Sequence, residues 1–338
     1  MIVPGSRTRA GGRAAILFSA FFAASIGLGY GSLARFRAPE VPGLHDAGRY
    51  ALMVREGIGR GDEPWRFRVL VPALARPIFL SLDGRTGSWA PEAAALLIVN
   101  AALSAGTALA IVVLSAAAAG SWDAGLAAGL LYLLTFAVPN FHLAGLVDSG
   151  EALAFALLAL ALASGRFGLS PVVLATGVLA KETFLPLGVL FGLAWAVAGP
   201  GPRVRKILWT AMAALAGGAA LTAVRSLFLG RLSYPLEGAP SVPGGSELLA
   251  ALGACFGAPA FWYTFAGLVP FALPRLSRLP APWRAAAATA ALGAAVLGAW
   301  AGSGGNAARG MFDASAAPLC AAAGWFLSDR AGGKPASG

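Results

Sequence analysis

Charge is what this sequence has least of. Only 12% of its 338 residues are charged, 15 of them acidic and 25 basic. A water-soluble domain carries about 25% charge. Hydrophobic residues make up 58%, so a soluble fold would leave much apolar surface in water, and lipid is the expected solvent. Cysteine is scarce as well. Cys255 and Cys320 both lie in apolar surroundings without metal-ligand spacing, which points to core positions rather than a disulfide. No nucleophile elbow, phosphate-binding loop or dinucleotide fingerprint occurs. No His/Cys/carboxylate spacing suggests a tight metal site, so neither a metal nor a resident cofactor is expected. The net charge of +10 has no basic soluble domain or RNA-binding signature to go with it, and nucleic acid is excluded as a partner. Arginine clusters in loops orient helices and meet anionic headgroups instead.

What is present is a series of long Ala-, Leu- and Gly-rich apolar runs. In lipid the backbone must satisfy its own hydrogen bonds, which leaves helices or closed barrels. Barrels need short alternating segments, and these runs are continuous. The expected fold class is therefore an all-α polytopic membrane protein. The run Ala14–Leu33 follows a basic stretch (Arg7, Arg9, Arg13). A cleaved signal peptide is the alternative, but the run is longer than a typical signal core of about 7–15 residues, so a retained helix is preferred.

About 20 apolar residues cross a bilayer. The candidate spans are Ala14–Leu33, Trp89–Ala118, Trp122–Asn140, Glu151–Ala163, Leu169–Ala180, Thr183–Val197, Ile207–Leu229, Pro259–Leu273, Ala285–Ala301 and Met311–Leu327. The stretch Val69–Leu82, interrupted by Pro72, Arg76 and Pro77, is ambiguous. Placed in the interface as an amphipathic or re-entrant element, it lets the basic loops at 7–13, 166, 203–206, 275–284 and 330–334 all fall inside, as the positive-inside rule asks. This gives ten spans in one membrane domain over 1–338, with both termini cytoplasmic and a first outside loop at 34–88. Only a short tail follows Leu327, so no C-terminal soluble domain is expected. Glu151–Ala163 and Leu169–Ala180 would each be roughly 20 Å long, against a hydrocarbon core of about 30 Å. Short helices of this kind border cavities or bilayer defects. No clear inverted repeat is visible, which weakens a transporter reading. The richness in Ala, Gly and Arg suggests a bacterial source.

The first outside loop carries nine arginines against the usual bias: Arg35, Arg37, Arg49, Arg55, Arg60, Arg66, Arg68, Arg76 and Arg85. So many external arginines call for an anionic partner. Other ionisable residues converge on the same face: His45 and Asp46 in that loop, His142, Asp148 and Glu151 at spans three and four, Lys181 and Glu182 between spans five and six, Arg225, and Arg309 and Asp313 flanking the last outside loop. Each has a plainer alternative. Asp46 can be merely solvated, Lys181–Glu182 an ion pair closing a helix hairpin, Arg66 and Arg68 headgroup anchors, Asp148 a helix cap and His142 structural. The functional alternative is transfer of a sugar from a lipid phosphate to a hydroxyl. That chemistry needs a carboxylate to take the hydroxyl proton, guanidinium or ammonium groups to stabilise the leaving phosphate, and a cavity open to lipid.

The order HDAGRYALMVREG, PWRFRVLVPALARP, LVDSGEALAFALLALAL and GVLAKETFLPLGVLF resembles the GT-C class of integral-membrane glycosyltransferases, over roughly Ala14–Val197. The resemblance implies a polyprenyl-phosphate-linked sugar donor, a glycan, lipid or protein acceptor, and a site on the periplasmic or extracellular face of a bacterial inner membrane. It implies that Asp46 is the catalytic base, since members carry an Asp or Glu soon after the first helix. Asp148 matches a second acidic position and would place the acceptor or a water. Lys181–Glu182 matches a recurring pair. Arg66, Arg68 and Lys181 would hold the donor phosphate, Glu182 would orient Lys181, Arg309 would complete the phosphate site from the last loop, and His45 and His142 would lie beside it. Many members carry an adjacent acidic pair where this chain has the single Asp46. The competing readings are a polysaccharide polymerase or ligase, which more often shows a large late loop, and a transporter or flippase for a lipid-linked substrate. The segment Gly230–Ala258 is modest in length, and the inner half of the spans is nearly free of acidic residues.

Overall fold

A computed structural model describes residues 7–35, 45–87, 89–235, 237, 244–301 and 304–331. All regular structure among them is helical. In chain order the helices are α1 (Arg7–Arg35), α2 (His45–Glu56), α3 (Leu70–Leu82), α4 (Pro91–Ala119), α5 (Trp122–Leu134), α6 (Asp148–Ala163), α7 (Ser170–Ala180), α8 (Phe184–Ala198), α9 (Arg203–Leu229), α10 (Gly245–Gly257), α11 (Pro259–Phe265), α12 (Val269–Leu276), α13 (Ala281–Trp300) and α14 (Gly304–Ala331). A 3-10 turn, Trp65–Phe67, precedes α3, and a π-helical turn, Val138–His142, follows α5.

Each expected span coincides with helix for most of its length. Among the described residues, three helices are long and apolar enough to cross a membrane: Gly11–Gly31 within α1, Pro91–Ala119 and Arg203–Leu229. The pair α10 and α11 passes the same test together, bent by 56°. The apolar helices Leu70–Leu82, Trp122–Leu134, Phe167–Ala180 and Phe184–Ala198 are shorter. Chain punctuation explains several of the stops. Gly120 takes the left-handed conformation that ends α4, and Ser121 then caps α5 by accepting from the Ala124 N–H. Pro139 lies in the π-turn that follows α5.

The core of the bundle joins α1, α4–α9 and α11–α14. A second, smaller core ties α2 and α3 to the start of α4 through Tyr50, Met53, Val54, Val71, Phe79, Leu96 and Val99. Val69–Leu82 is thus helical from Leu70, with one face (Val71, Pro72, Ala75, Phe79) buried and Leu74 and Leu80 exposed. On α9, Leu208, Met212 and Leu215 are exposed along one stripe. A contiguous apolar stripe of this kind suits lipid contact.

Two expectations about loops are corrected. Asp46 is not in irregular chain: it stands in the first turn of α2. Arg309 does not flank a loop, because α14 begins at Gly304, before the expected start at Met311, so Arg309 and Asp313 sit one turn apart on a helix.

Close approach positions the functional ends. A Cβ on Gly150, in the first turn of α6, would lie 2.8 Å from the Ala180 Cβ at the end of α7. Only glycine lets those two ends meet, and Lys181 follows directly. Gly150→Val should force the ends apart at a cost of about 1–3 kcal/mol. A thermal melt of the purified protein in detergent checks it; an unchanged melting temperature would show that the contact yields freely.

Candidate functional site

Charged side chains gather in two adjoining clusters that share the turn between α7 and α8. The first is built on α2. Asp46 is followed one helical turn later by Tyr50, and Arg49 donates to Asp46 (Nη1 to Oδ1, 3.3 Å). The Arg49 guanidinium also lies 3.5 Å from the centre of the Trp65 ring, a close cation–π contact. Asp62 approaches the same guanidinium at 3.9 Å. Tyr50 is buried and accepts from Arg68 Nη1 at 3.1 Å. Arg68 in turn makes a two-pronged contact with Glu182, at 2.8 and 2.5 Å. Arg66 pairs with Glu63, yet its buried Nε has no hydrogen-bond partner. The Arg66 and Arg225 guanidiniums lie 5.2 and 4.6 Å from the Phe67 ring centre, which puts two cations around one aromatic side chain.

Burial pushes the Tyr50 phenol up to about 12, against the opposing pull of Arg68. Burial would raise Glu182 too, but the Arg68 charge and hydrogen bonds hold its carboxyl below the usual range. A carboxyl lowered in the folded state stabilises above its unfolded pKa of about 4.3, and that contribution is lost as the pH falls through the folded value. Arg68→Lys keeps the charge but loses the planar fork. We expect it to cost about 1–3 kcal/mol near pH 7. The difference from the parent should shrink in acid, measured as melting temperature against pH. A difference that stays constant across the carboxylate range would remove Glu182 from the interaction.

The second cluster is deeper. Lys181 Nζ lies 2.8 Å from Asp148 Oδ1 and 2.7 Å from Glu151 Oε2. Asp148 Oδ2 also receives Arg309 Nη1 at 3.3 Å, and Glu151 Oε1 accepts from Thr183 Oγ1 at 2.8 Å. His142 bridges Tyr132 and Asp313: Nδ1 is 2.9 Å from the phenol oxygen and Nε2 is 2.8 Å from Asp313 Oδ1. Asn100 anchors the chain just before α6, donating to Leu146 O at 2.9 Å and accepting from Ser149 Oγ at 2.5 Å. Burial would lower Lys181, but the Asp148 and Glu151 charges outweigh it and hold the ammonium well above its ordinary value. One oxygen each from Asp148, Glu151 and Asp313 can lie within 4.8 Å of the others. Two of these three carboxylates already pair with the Lys181 ammonium.

Several expected roles change. Glu182 does not orient Lys181. The two are neighbours in a turn and point to different clusters, Glu182 to Arg68 and Lys181 to Asp148 and Glu151. Lys181 is enclosed by carboxylates rather than presented to a phosphate. Asp148 heads α6 without capping it; its side chain is spent on Lys181 and Arg309. His142 is buried against Tyr132 and Asp313 instead of facing a substrate. The side chain of His45, which heads α2, lies outside the described residues. Asp46 and Asp148 do not form one acidic pair: Asp46 keeps 29% of its side chain exposed and Asp148 only 3%.

From sequence, Glu151 and Asp313 have a place on the charged face but no assigned role, and Tyr50 and Tyr132 have neither. Spacing held part of the signal. Tyr50 follows Asp46 by four residues, Glu151 follows Asp148 by three, and Asp313 follows Arg309 by four, all same-face positions on a helix. No protein-family profile matches the chain, and neither does any curated protein or any solved structure.

Proposed function

We propose that this chain is a membrane glycosyltransferase of the GT-C kind. In this reading it moves a sugar from a polyprenyl-phosphate donor to an acceptor hydroxyl on the non-cytoplasmic face, with ten spans and Asp46 as general base. One observation carries it. Among the candidate carboxylates, Asp46 is partly open to solvent and lies beside the Arg49 guanidinium, while Asp148 is locked between two cations. A base must reach its proton, and Asp46 can. The anion-binding side falls to Arg49, Arg66 and Arg225, grouped around Trp65 and Phe67. Arg66 keeps an unused N–H, and a guanidinium fork suits phosphate oxygens. Arg68 and Lys181, assigned to phosphate at first, serve here to hold the α7–α8 turn against α2 and α6.

The test is incubation of the purified chain with labelled polyprenyl-phosphate sugars, scoring lipid phosphate release with an acceptor present. No release from any donor offered would overturn the reading. The buried Asp148–Lys181–Glu151 and His142–Asp313 contacts favour a second reading, passage of a charged headgroup through the bundle. That activity would appear as movement of labelled lipid across vesicle bilayers with the sugar–phosphate bond intact.

A further inference from the structure

The deep cluster is not balanced in charge. Three carboxylates, Asp148, Glu151 and Asp313, face two permanent cations, Lys181 and Arg309. Leaving His142 out of the count, the sum is one negative charge, and all three carboxylates are buried. An uncompensated charge in a low-dielectric interior is expensive and is relieved by taking up a proton. Among the described residues, the elements around Asp313 offer no further compensation. α6 brings Asp148 and Glu151, the π-turn brings His142, and α5 brings Tyr132. The α7–α8 turn brings Lys181, α14 itself brings Arg309, α4 brings the Ser104 and Thr107 hydroxyls beside the Tyr132 phenol, and α13 brings the Trp283 indole.

The partners show which carboxylate takes the proton. Asp148 receives both Lys181 and Arg309. Glu151 receives the Thr183 hydroxyl on Oε1, and its Oε2, which has no hydrogen-bond partner, still lies 2.7 Å from the Lys181 ammonium. Asp313 receives His142 alone, on Oδ1, and its buried Oδ2 has no hydrogen-bond partner. An ionised carboxylate has about four acceptor sites to fill, so Asp313 is the worst served as an anion.

We propose that Asp313 is a binding site for one exchangeable proton, which makes the cluster electrically neutral. In the protonated state the Asp313 hydroxyl donates to His142 Nε2, and His142 Nδ1–H donates to the Tyr132 oxygen. When the proton leaves, the Asp313 hydroxyl passes its proton to His142 Nε2, His142 Nδ1 passes its own to the Tyr132 oxygen, and the proton Tyr132 held before is released toward the Thr107 hydroxyl; Nε2–H then donates to the Asp313 carboxylate, and the Tyr132 hydroxyl donates to Nδ1. The separations of 2.8 and 2.9 Å serve both states, and the cluster changes by one charge. A cavity beside Asp313, lined also by Thr107, Phe155, Phe191 and Trp283, has room for about one water molecule. The Trp283 Nε1–H is likewise buried without a partner. Thr107 borders both this cavity and the Tyr132 phenol, so a water there can take up the released proton.

The experiment uses the full chain in lipid nanodiscs. Infrared spectra at neutral pH should show a protonated-carboxyl C=O band that Asp313→Asn removes and Glu151→Gln leaves in place. His142→Gln should keep the band but shift it, because the hydroxyl's acceptor changes. Asn is the neutral isostere, so Asp313→Asn should melt within about 2 °C of the parent. Absence of an Asp313-dependent band in the parent overturns the proposal. So does failure of Asp313→Asn to fold, since a neutral residue then cannot stand in for Asp313. A melting temperature raised by Na⁺ or Mg²⁺, with the rise lost in Asp313→Asn, also overturns it, because the compensating charge is then a metal ion.

Discussion

Lys181→Met should be among the most destabilising single substitutions in the chain. It removes the ammonium that sits 2.8 and 2.7 Å from Asp148 and Glu151 and leaves two buried carboxylates facing one another. Breaking a buried ion pair from one side costs about 3–5 kcal/mol, because the remaining charge stays desolvated. Total stabilities run to about 5–15 kcal/mol, so this is a large share. Three elements lose their joint at once: Lys181 follows α7, Asp148 and Glu151 open α6, and Arg309 on α14 shares Asp148. We expect little monodisperse protein on size exclusion and a sharply lowered melting temperature in what remains. The double variant Lys181→Met with Glu151→Gln restores the charge count and should recover part of the loss. A Lys181→Met protein as stable as the parent would show that the ammonium is not what neutralises these carboxylates.

Asp46→Asn should abolish sugar transfer and leave the fold intact. The carboxylate stands in the first turn of α2, partly exposed, with a 3.3 Å contact to Arg49. Exposed or half-exposed ion pairs contribute about 0–1 kcal/mol, so the substitution should barely move the melting temperature. In the proposed role of general base the carboxylate would supply about 10²–10⁴-fold in rate, and the amide none. Transfer from labelled polyprenyl-phosphate sugars, measured beside the melting curve, separates the two effects. Normal transfer by Asp46→Asn would remove this residue from the mechanism. Loss of transfer together with loss of folding would make Asp46 structural.

The two predictions sit on clusters of opposite character, and the sequence revealed them unequally. Asp46 was legible because its neighbourhood is linear: it opens a short charged segment soon after an apolar run, and Tyr50 and Arg49 follow within one turn. The deep cluster was legible only as a set of positions. Asp148, Lys181 and Arg309 come from three helix ends separated by 33 and 128 residues, and nothing local to any of them names its partner. Hence Glu182 was paired with the wrong neighbour. Adjacent residues in a turn project in different directions, and Glu182 meets Arg68, 114 positions away.

The sequence by itself determined the helical class, the apolar segments and the general location of the charged ones. Those properties follow from composition and from backbone hydrogen bonding, which each segment satisfies alone. It also marked the short helices, because glycines and prolines act where they stand. Only the tertiary structure decided which charges are spent on one another and which stay available. That outcome depends on which helix ends touch, and contacts such as Gly150 against Ala180 are set by packing between segments far apart in the chain. So the scarce charges divide into a neutralised, buried joint around Lys181 and a half-open edge at Asp46.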